Sequence, residues 1–373
     1  MPAYGPKKRL PAIDAMRGVV MILMTLDHAS YAFNAGRYVT DSIVMYQPGS
    51  IIPATQFLLR WITHICAPTF IFLAGLSIAL SIERKSSQKI TDRQINSDLL
   101  LRGLFILALD PLWMSLGFGG RTVFQVLYAI GAGMVCMAFL RYANIRTLIV
   151  LGVLLMLGGE ALAGLALWMG EGQRPGPVGA LLFTGGRLGS IGFVLYPLFP
   201  WLAVMICGWV CGRLMAGGSI RNPAKWFAAA GAILLILFLI VRGLNGYGNM
   251  ALLRDDRSVL QWLHVSKYPP SLSFTCLTLG LMGIIQSLLF ILYGRIEAAE
   301  GDPLLVFGRT PLLFYILHVH LLAGAAVMLG MWQGAELTAT FAAAVAVLII
   351  LYPLCRWYAG VKQSHPRSVL RYV

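Results

Sequence analysis

Runs of about 20 mostly apolar residues, the length that carries a helix across a bilayer, recur ten times along the chain. They lie at roughly 13–34, 56–82, 99–117, 123–140, 147–168, 191–214, 224–242, 271–293, 310–330 and 337–356. The fourth is short, and Pro197 and Pro200 break the sixth. The longest connections are 35–55, 169–190 and 243–270, rich in Gly, Pro and aromatic residues. This pattern predicts an all-α, polytopic integral membrane protein with about ten transmembrane helices. A single transmembrane domain spans 1–373, with no soluble domain, low-complexity segment or internal repeat.

Composition agrees. Only 12% of residues are charged and 58% are hydrophobic, with a mean hydropathy of +0.76, whereas soluble domains carry about 25% charged residues. The net charge of +14 would suit nucleic acid, but the basic residues punctuate apolar runs instead of forming a patch, so the partner is a lipid bilayer. With the N-terminus inside, 19 of the 29 Lys and Arg residues fall on the cytoplasmic side and nine on the other. The positive-inside rule therefore favours an even helix count with both termini, tails 1–12 and 357–373, in the cytoplasm. Lys7, Lys8 and Arg9 before an apolar run resemble a signal-peptide start, but Asp14 and Arg17 interrupt that run, and it reads as a retained first span. All six cysteines sit in apolar stretches and read as small buried hydrophobes. Cys207 and Cys211, one turn apart without further clustered ligands, give no reason to expect a metal.

The first span is the anomaly. It carries Asp14, Arg17, Asp27 and His28, although a charge at the bilayer centre costs at least ~2.5–3.5 kcal/mol. At 100° per residue, Asp14, Arg17, Met21, Met24 and His28 share an arc of about 80°. That face must look into protein or water. Asp14 and Arg17, one turn apart, suit an ion pair at the inner boundary.

The second span places Arg60 and His64 one turn apart, with His64 at nearly the depth of His28. A histidine near neutrality is a natural general base, and a neighbouring carboxylate orients its ring. Asp27 and His28 with Arg60 and His64 thus form the leading catalytic candidates, and the choice between His28 and His64 stays open. His318 and His320 lie near mid-membrane about 200° apart, so one of them faces the same cavity; the sequence does not say which. Asp110 is a further intramembrane acid, while His264 and His365 fall outside the bilayer and read as surface residues. The segment Tyr196-Pro-Leu-Phe-Pro200-Trp201 would free carbonyls inside the sixth helix. Lys267-Tyr-Pro-Pro-Ser271 reads as a rigid outer entry or a plain helix start. Arg102 and Arg309 sit at inner helix ends, where arginines anchor headgroups or grip phosphates.

Several of these motifs, in collinear order, resemble heparan-α-glucosaminide N-acetyltransferase-like membrane proteins. They are Arg9-Leu-Pro-Ala-Ile-Asp14-Ala-Met-Arg17-Gly with Asp27-His28, Arg60 to Gly75, Gln125 to Gly131, Tyr196 to Trp201, Lys267 to Ser271 and Phe307 to Pro311. The resemblance implies a transmembrane acyltransferase. It would take an acyl group, usually acetyl, from cytosolic acetyl-CoA to a sugar or glycan hydroxyl or amine on the outer side, in a bacterial cytoplasmic (inner) membrane. His28 is the nearest match to the family's membrane histidine. On this reading the donor enters by Asp14, Arg17, Arg102 and Arg309, and Lys267, Tyr268, Tyr196, Trp201 and His318 meet the acceptor. A homodimer stays open. Two other classes compete: a proton-coupled secondary transporter of a small polar or anionic solute, suggested by broken helices and intramembrane Asp and His, and a non-catalytic membrane scaffold.

Overall fold

The computed structural model describes residues 10–117, 121–170 and 174–365. Lys7, Lys8, Arg9, Arg367 and Arg371, which enter the topology reading, lie outside them. Each of the ten apolar windows contains a helix: α1 (Pro11–Phe33), α2 (Ala54–Ser87), α3 (Asp92–Gly117), α4 (Val126–Leu140), α5 (Ile145–Trp168), α6 (Leu198–Ala216), α7 (Pro223–Leu244), α9 (Leu272–Arg295), α11 (Pro311–Met328) and α12 (Leu337–Ser364), with short α8 (Val259–Leu263) and α10 (Pro303–Arg309) between them. Among the described residues, eight are long and apolar enough to cross a membrane: α2, α3, α5, α6, α7, α9, α11 and α12. Helix α1 has the length but carries Asp14, Arg17 and Asp27, and α4 is a shorter apolar helix of 15 residues.

Helix ends follow local chemistry. Thr91 and Gln94 form a capping box at the start of α3, and Asn144, Asn222 and Ser271 cap α5, α7 and α9 through side-chain oxygens. Two internal distortions trace to proline, which removes a donor and crowds the carbonyl four residues back. Pro68 follows the tight 3₁₀ turn Ile62–Ile65 of α2, and Pro111 lies in the widened turn Asp110–Met114 of α3. The sixth window behaves differently from the expectation. Its first residues form a strand, and α6 starts only at Leu198, so Pro197 is the N-cap and Pro200 lies in the first turn. Both sit where amide hydrogens have no helical partner anyway, and no carbonyls are freed inside the helix.

The all-α expectation needs one small amendment. Strands β1 (Val123–Phe124), β2 (Gly186–Leu188) and β3 (Gly192–Val194) form a sheet of order β1-β3-β2. β1 runs parallel to β3, pairing Val123 with Phe193, and β2 runs antiparallel to it, pairing Gly186 with Val194. These strands tie the ends of α3, α4 and α6 together on one side.

Helix α1 lies in the middle, packed against α2, α9, α10, α11 and α12, which is how it tolerates its charges. Its crossing with α10 is backbone on backbone. A Cβ at Gly18 would overlap the Leu304 carbonyl, and one at Gly308 the Asp14 carbonyl. The peripheral α5, α7 and α12 bury 22% of their apolar windows against 72% for α6, so they face the bilayer.

Candidate functional site

Two assemblies occupy the interior, and α1 connects them. One is a charge cluster around the C-terminal end of α1. Arg60, 7% exposed, sits between two carboxylates. Its Nη1 donates to both Asp27 oxygens at 2.7 and 2.6 Å, and Nε and Nη2 donate to Asp41 Oδ2 at 2.8 and 2.6 Å. Arg37 adds a second cation on Asp27, with Nη2 to Oδ1 at 2.9 Å and Nη1 to the backbone carbonyl at 2.8 Å. His64 Nε2 lies 3.2 Å from the other Asp41 oxygen, and the Arg60 Nη2 also reaches the Tyr268 hydroxyl at 3.3 Å. A guanidinium holding two buried carboxylates at once uses the planar fork that lysine lacks. Burial alone would raise the Asp41 carboxyl, but the Arg60 charge, then His64, overcome this and hold it well below the usual carboxylate range.

Asp41 is placed by the loops that follow α1 and α7. Its carbonyl accepts from the amides of Lys267 and Tyr268 at 2.7 and 3.1 Å. His264 Nε2 donates to the neighbouring Thr40 carbonyl at 2.8 Å, and the Tyr46 hydroxyl donates to Asp255 at 2.6 Å. Arg242, fully buried in α7, holds the second loop by donating to the carbonyls of Leu252 and Gln261, both at 2.7 Å. His264 is therefore 1% exposed and part of the loop core, which corrects its reading as a surface residue; burial lowers its pKa. Lys267 is also buried, 3% exposed, with its ammonium 5.2 Å from the Tyr268 ring centre. Tyr268, Tyr196 and Trp201 continue inward as a row of rings, with centroids 5.6 and 4.9 Å apart. Burial would raise the Tyr268 hydroxyl, yet Lys267 and Arg60 bring it below its ordinary value.

Next to Asp27, His28 meets α11. Its Nδ1 is 2.7 Å from His318 Nε2, and the rings are nearly parallel with centroids 4.9 Å apart. His318 Nδ1 lies 2.9 Å from the Phe314 carbonyl. A carbonyl only accepts, so His318 Nδ1 carries the hydrogen and Nε2 is the acceptor in the neutral ring. His28 must then donate from Nδ1, which puts the lone pair of the neutral ring on Nε2. His320 turns elsewhere, bonding the Ile316 carbonyl at 2.7 Å and lying 5.9 Å from the Trp113 ring. The pair thus uses His318, a choice the sequence left undecided.

The second assembly is a cavity of about 870 Å³ at the opposite end of α1. Arg17, Arg84, Lys85, Arg102, Arg309 and Lys362 line it together with Asp14, Glu83 and Asp98, over walls that include Ile13, Phe70, Leu73, Leu99 and Leu312. Arg17 pairs with Asp14 at 2.6 Å, as the spacing suggested, and its second nitrogen bonds Ser77. Lys85 pairs with Asp98 at 2.9 Å. The Arg309 Nε is buried with no hydrogen-bond partner among the described residues. The deep end of the cavity reaches Met21 and Tyr315. Tyr315 is also edge-on to His28 and His318, with centroids 6.0 and 5.6 Å away, so one side chain separates cavity from histidine pair.

Residues named from sequence thus fall into two groups. Asp14, Arg17, Arg102 and Arg309 line the cavity. Asp27, Arg60, His64, Tyr268, Lys267, Tyr196, Trp201, His28 and His318 gather at the other end. Asp110 belongs to neither: its Oδ2 accepts from the Gln125 and Tyr128 amides at 2.8 and 2.7 Å, capping α4. Arg37, Asp41 and Tyr315 were missed. The first two lie in a loop without periodicity, and nothing in the Tyr315 pattern separates it from a packing residue. All six cysteines are free, with Cys136 and Cys207 only partly buried, and no metal-holding group of His, Cys, Asp and Glu occurs among the described residues.

The family model described as heparan-alpha-glucosaminide N-acetyltransferase, catalytic, matches residues 9–243, more than half of the chain. The match takes in Asp27, His28, Asp41, Arg60 and His64, and leaves His318 and Lys267 outside it. No curated protein matches the chain.

Proposed function

The chain belongs to the heparan-α-glucosaminide N-acetyltransferase catalytic family, and from that premise we propose that it carries acetyl groups across a bilayer. It takes them from acetyl-CoA in the cytosol to a sugar amine or hydroxyl on the outer side of a bacterial cytoplasmic membrane. All ten long helices cross, α1 and α4 included, with both termini cytoplasmic; the excess of Lys and Arg on that side supports this topology.

The observation that carries the reading is the junction at Tyr315. The basic cavity opens on the cytosolic side and ends against a histidine pair of defined tautomer, roughly 16 Å along α1 from Arg17 by the helical rise. Coenzyme A fits such a cavity. Its phosphates are met by Arg17, Arg102 and above all Arg309, whose buried nitrogen has a hydrogen to give, and its pantetheine arm by the apolar walls. The acetyl thioester then arrives beside His28.

The acceptor approaches from the other side. Its nucleophile gives a proton to His28 Nε2 as it attacks the thioester carbonyl, and the imidazolium later returns that proton to the departing sulfur. His318 keeps His28 in the receptive tautomer. The Asp27 carboxylate, fixed by Arg60 and Arg37, precedes His28 in the chain and anchors this end of α1. Arg60 has its donors committed to Asp27 and Asp41, so it holds the site together rather than touching substrate. His64 is bound to Asp41 through Nε2, which supports reading it as part of the same framework and His28 as the base. Lys267, Tyr268, Tyr196 and Trp201 form the outer wall where a sugar stacks and hydrogen-bonds.

Purified wild-type protein and His28→Ala, given acetyl-CoA and an α-glucosaminide, test this through release of free coenzyme A thiol and acetylation of the amine. Transfer by the wild type and its loss in the variant are expected. A variant as fast as wild type would remove His28 from the mechanism.

A further inference from the structure

Several tyrosines of the fold spend their hydroxyls on an acceptor. Tyr128 donates to the Leu181 carbonyl at 3.3 Å, Tyr46 to Asp255 at 2.6 Å and Tyr352 to the Gly301 carbonyl at 2.7 Å. Tyr315 differs. Its side chain is 5% exposed, and its hydroxyl has no acceptor among the described residues and is not shut away from the cavity that Tyr315 lines. A hydroxyl on a cavity wall can donate to whatever occupies the cavity, and its position says what that would be. Tyr315 lines the deep end of the basic cavity and stands edge-on to both histidines. Its neighbour Phe314 gives the carbonyl that orients His318.

We propose that Tyr315 is a catalytic residue whose phenol donates a hydrogen bond to the acetyl carbonyl oxygen at this junction, stabilising the oxyanion of the tetrahedral intermediate. The inference rests on the acetyl-transfer reading. As the acceptor nitrogen or oxygen bonds to the carbonyl carbon, its proton passes to His28 Nε2 and the carbonyl electron pair moves onto oxygen. Tyr315 holds that oxygen and keeps its own proton throughout. Collapse reforms the C=O bond, breaks the C–S bond, and the His28 imidazolium protonates the leaving thiolate. A donor that engages only developing charge stabilises the transition state more than the ground state. Removing one such group from other enzymes costs about 10²–10³ in kcat.

Tyr315→Phe deletes one oxygen and keeps the ring against both histidines. Purified full-length protein would be assayed with saturating acetyl-CoA and an α-glucosaminide, beside His28→Ala, with coenzyme A binding measured separately. The expected result is a kcat about 100-fold below wild type, with Kd for coenzyme A and the pH profile unchanged. A kcat within about twofold of wild type, with His28→Ala inactive, would overturn the role of Tyr315, as would a matching loss of coenzyme A affinity. A fully active His28→Ala would instead overturn the transfer reading beneath it.

Discussion

His28 Nδ1 and His318 Nε2 lie 2.7 Å apart, and because His318 spends its other nitrogen on the Phe314 carbonyl, the neutral pair has one proton arrangement. Replacing His318 by Ala frees His28 to adopt either tautomer without disturbing the Asp27 cluster. His318→Ala is expected to lower kcat roughly 10- to 100-fold, part of the 10²–10⁴ that a positioned base contributes. Steady-state rates at saturating donor, with coenzyme A affinity as control, check this; an unchanged kcat would show that His28 needs no partner.

The Arg60 clamp makes a different kind of claim, about stability. Arg60→Ala leaves the Asp27 and Asp41 carboxylates without their shared cation. Removing one partner of a buried pair costs about 3–5 kcal/mol, so a large drop in the thermal unfolding temperature of detergent-purified protein is expected. Arg60→Lys keeps the charge but loses the fork, and should fall between the two. Equal stability of all three would show the network to be incidental.

Asp41 gives that network a pH signature. Its folded-state pKa is depressed, so its contribution is complete above the unfolded carboxylate value, about 3.9, and is lost as pH falls toward the folded value. Wild type should exceed Asp41→Asn in stability at pH 7 by a constant margin down to about pH 5. The margin should then shrink as pH drops below about 4. Unfolding temperatures of the two proteins across this range decide it, and a margin that grew on acidification would reverse the sign.

At the other end, Arg309→Gln removes the cation with an unpaired buried nitrogen while leaving the Asp14–Arg17 pair in place. Losing one charge-assisted contact should weaken coenzyme A binding about tenfold, equivalent to about 1.4 kcal/mol, with kcat at saturating donor near wild type. Calorimetric titration with coenzyme A measures this, and unchanged affinity would move the phosphates elsewhere in the cavity.

Much of this was legible in the chain. All ten windows hold helices because spans of about 20 apolar residues admit few alternatives in lipid. The polar face of α1 and the Asp14–Arg17 pair follow from helical spacing, and both turned out to be built as that spacing implies. Arg60 and His64 share Asp41, although the helix tightens after Arg60 into a 3₁₀ turn, Ile62–Ile65, that contains His64. What periodicity cannot carry is where an irregular loop returns. Asp41, Arg37 and the burial of His264 all depend on how residues 35–53 and 245–271 fold back together. The prolines of the sixth window misled for a related reason: Pro197 and Pro200 mark a helix start as readily as a break, and a three-residue strand before them settled which. The choice of His318 over His320 depended on the rotation of α11, which its uniformly apolar surface does not encode.

Sidedness tests the central claim most directly. Proteoliposomes containing the full chain in one orientation would enclose an α-glucosaminide, with labelled acetyl-CoA supplied only at the face bearing the Arg309 cavity. Labelled acetylated sugar inside the vesicles, with free coenzyme A outside and neither in His28→Ala, is the result expected of transfer through the bilayer. Sugar-dependent proton flux without thioester cleavage, or acetylation only when donor and acceptor share a compartment, would contradict it.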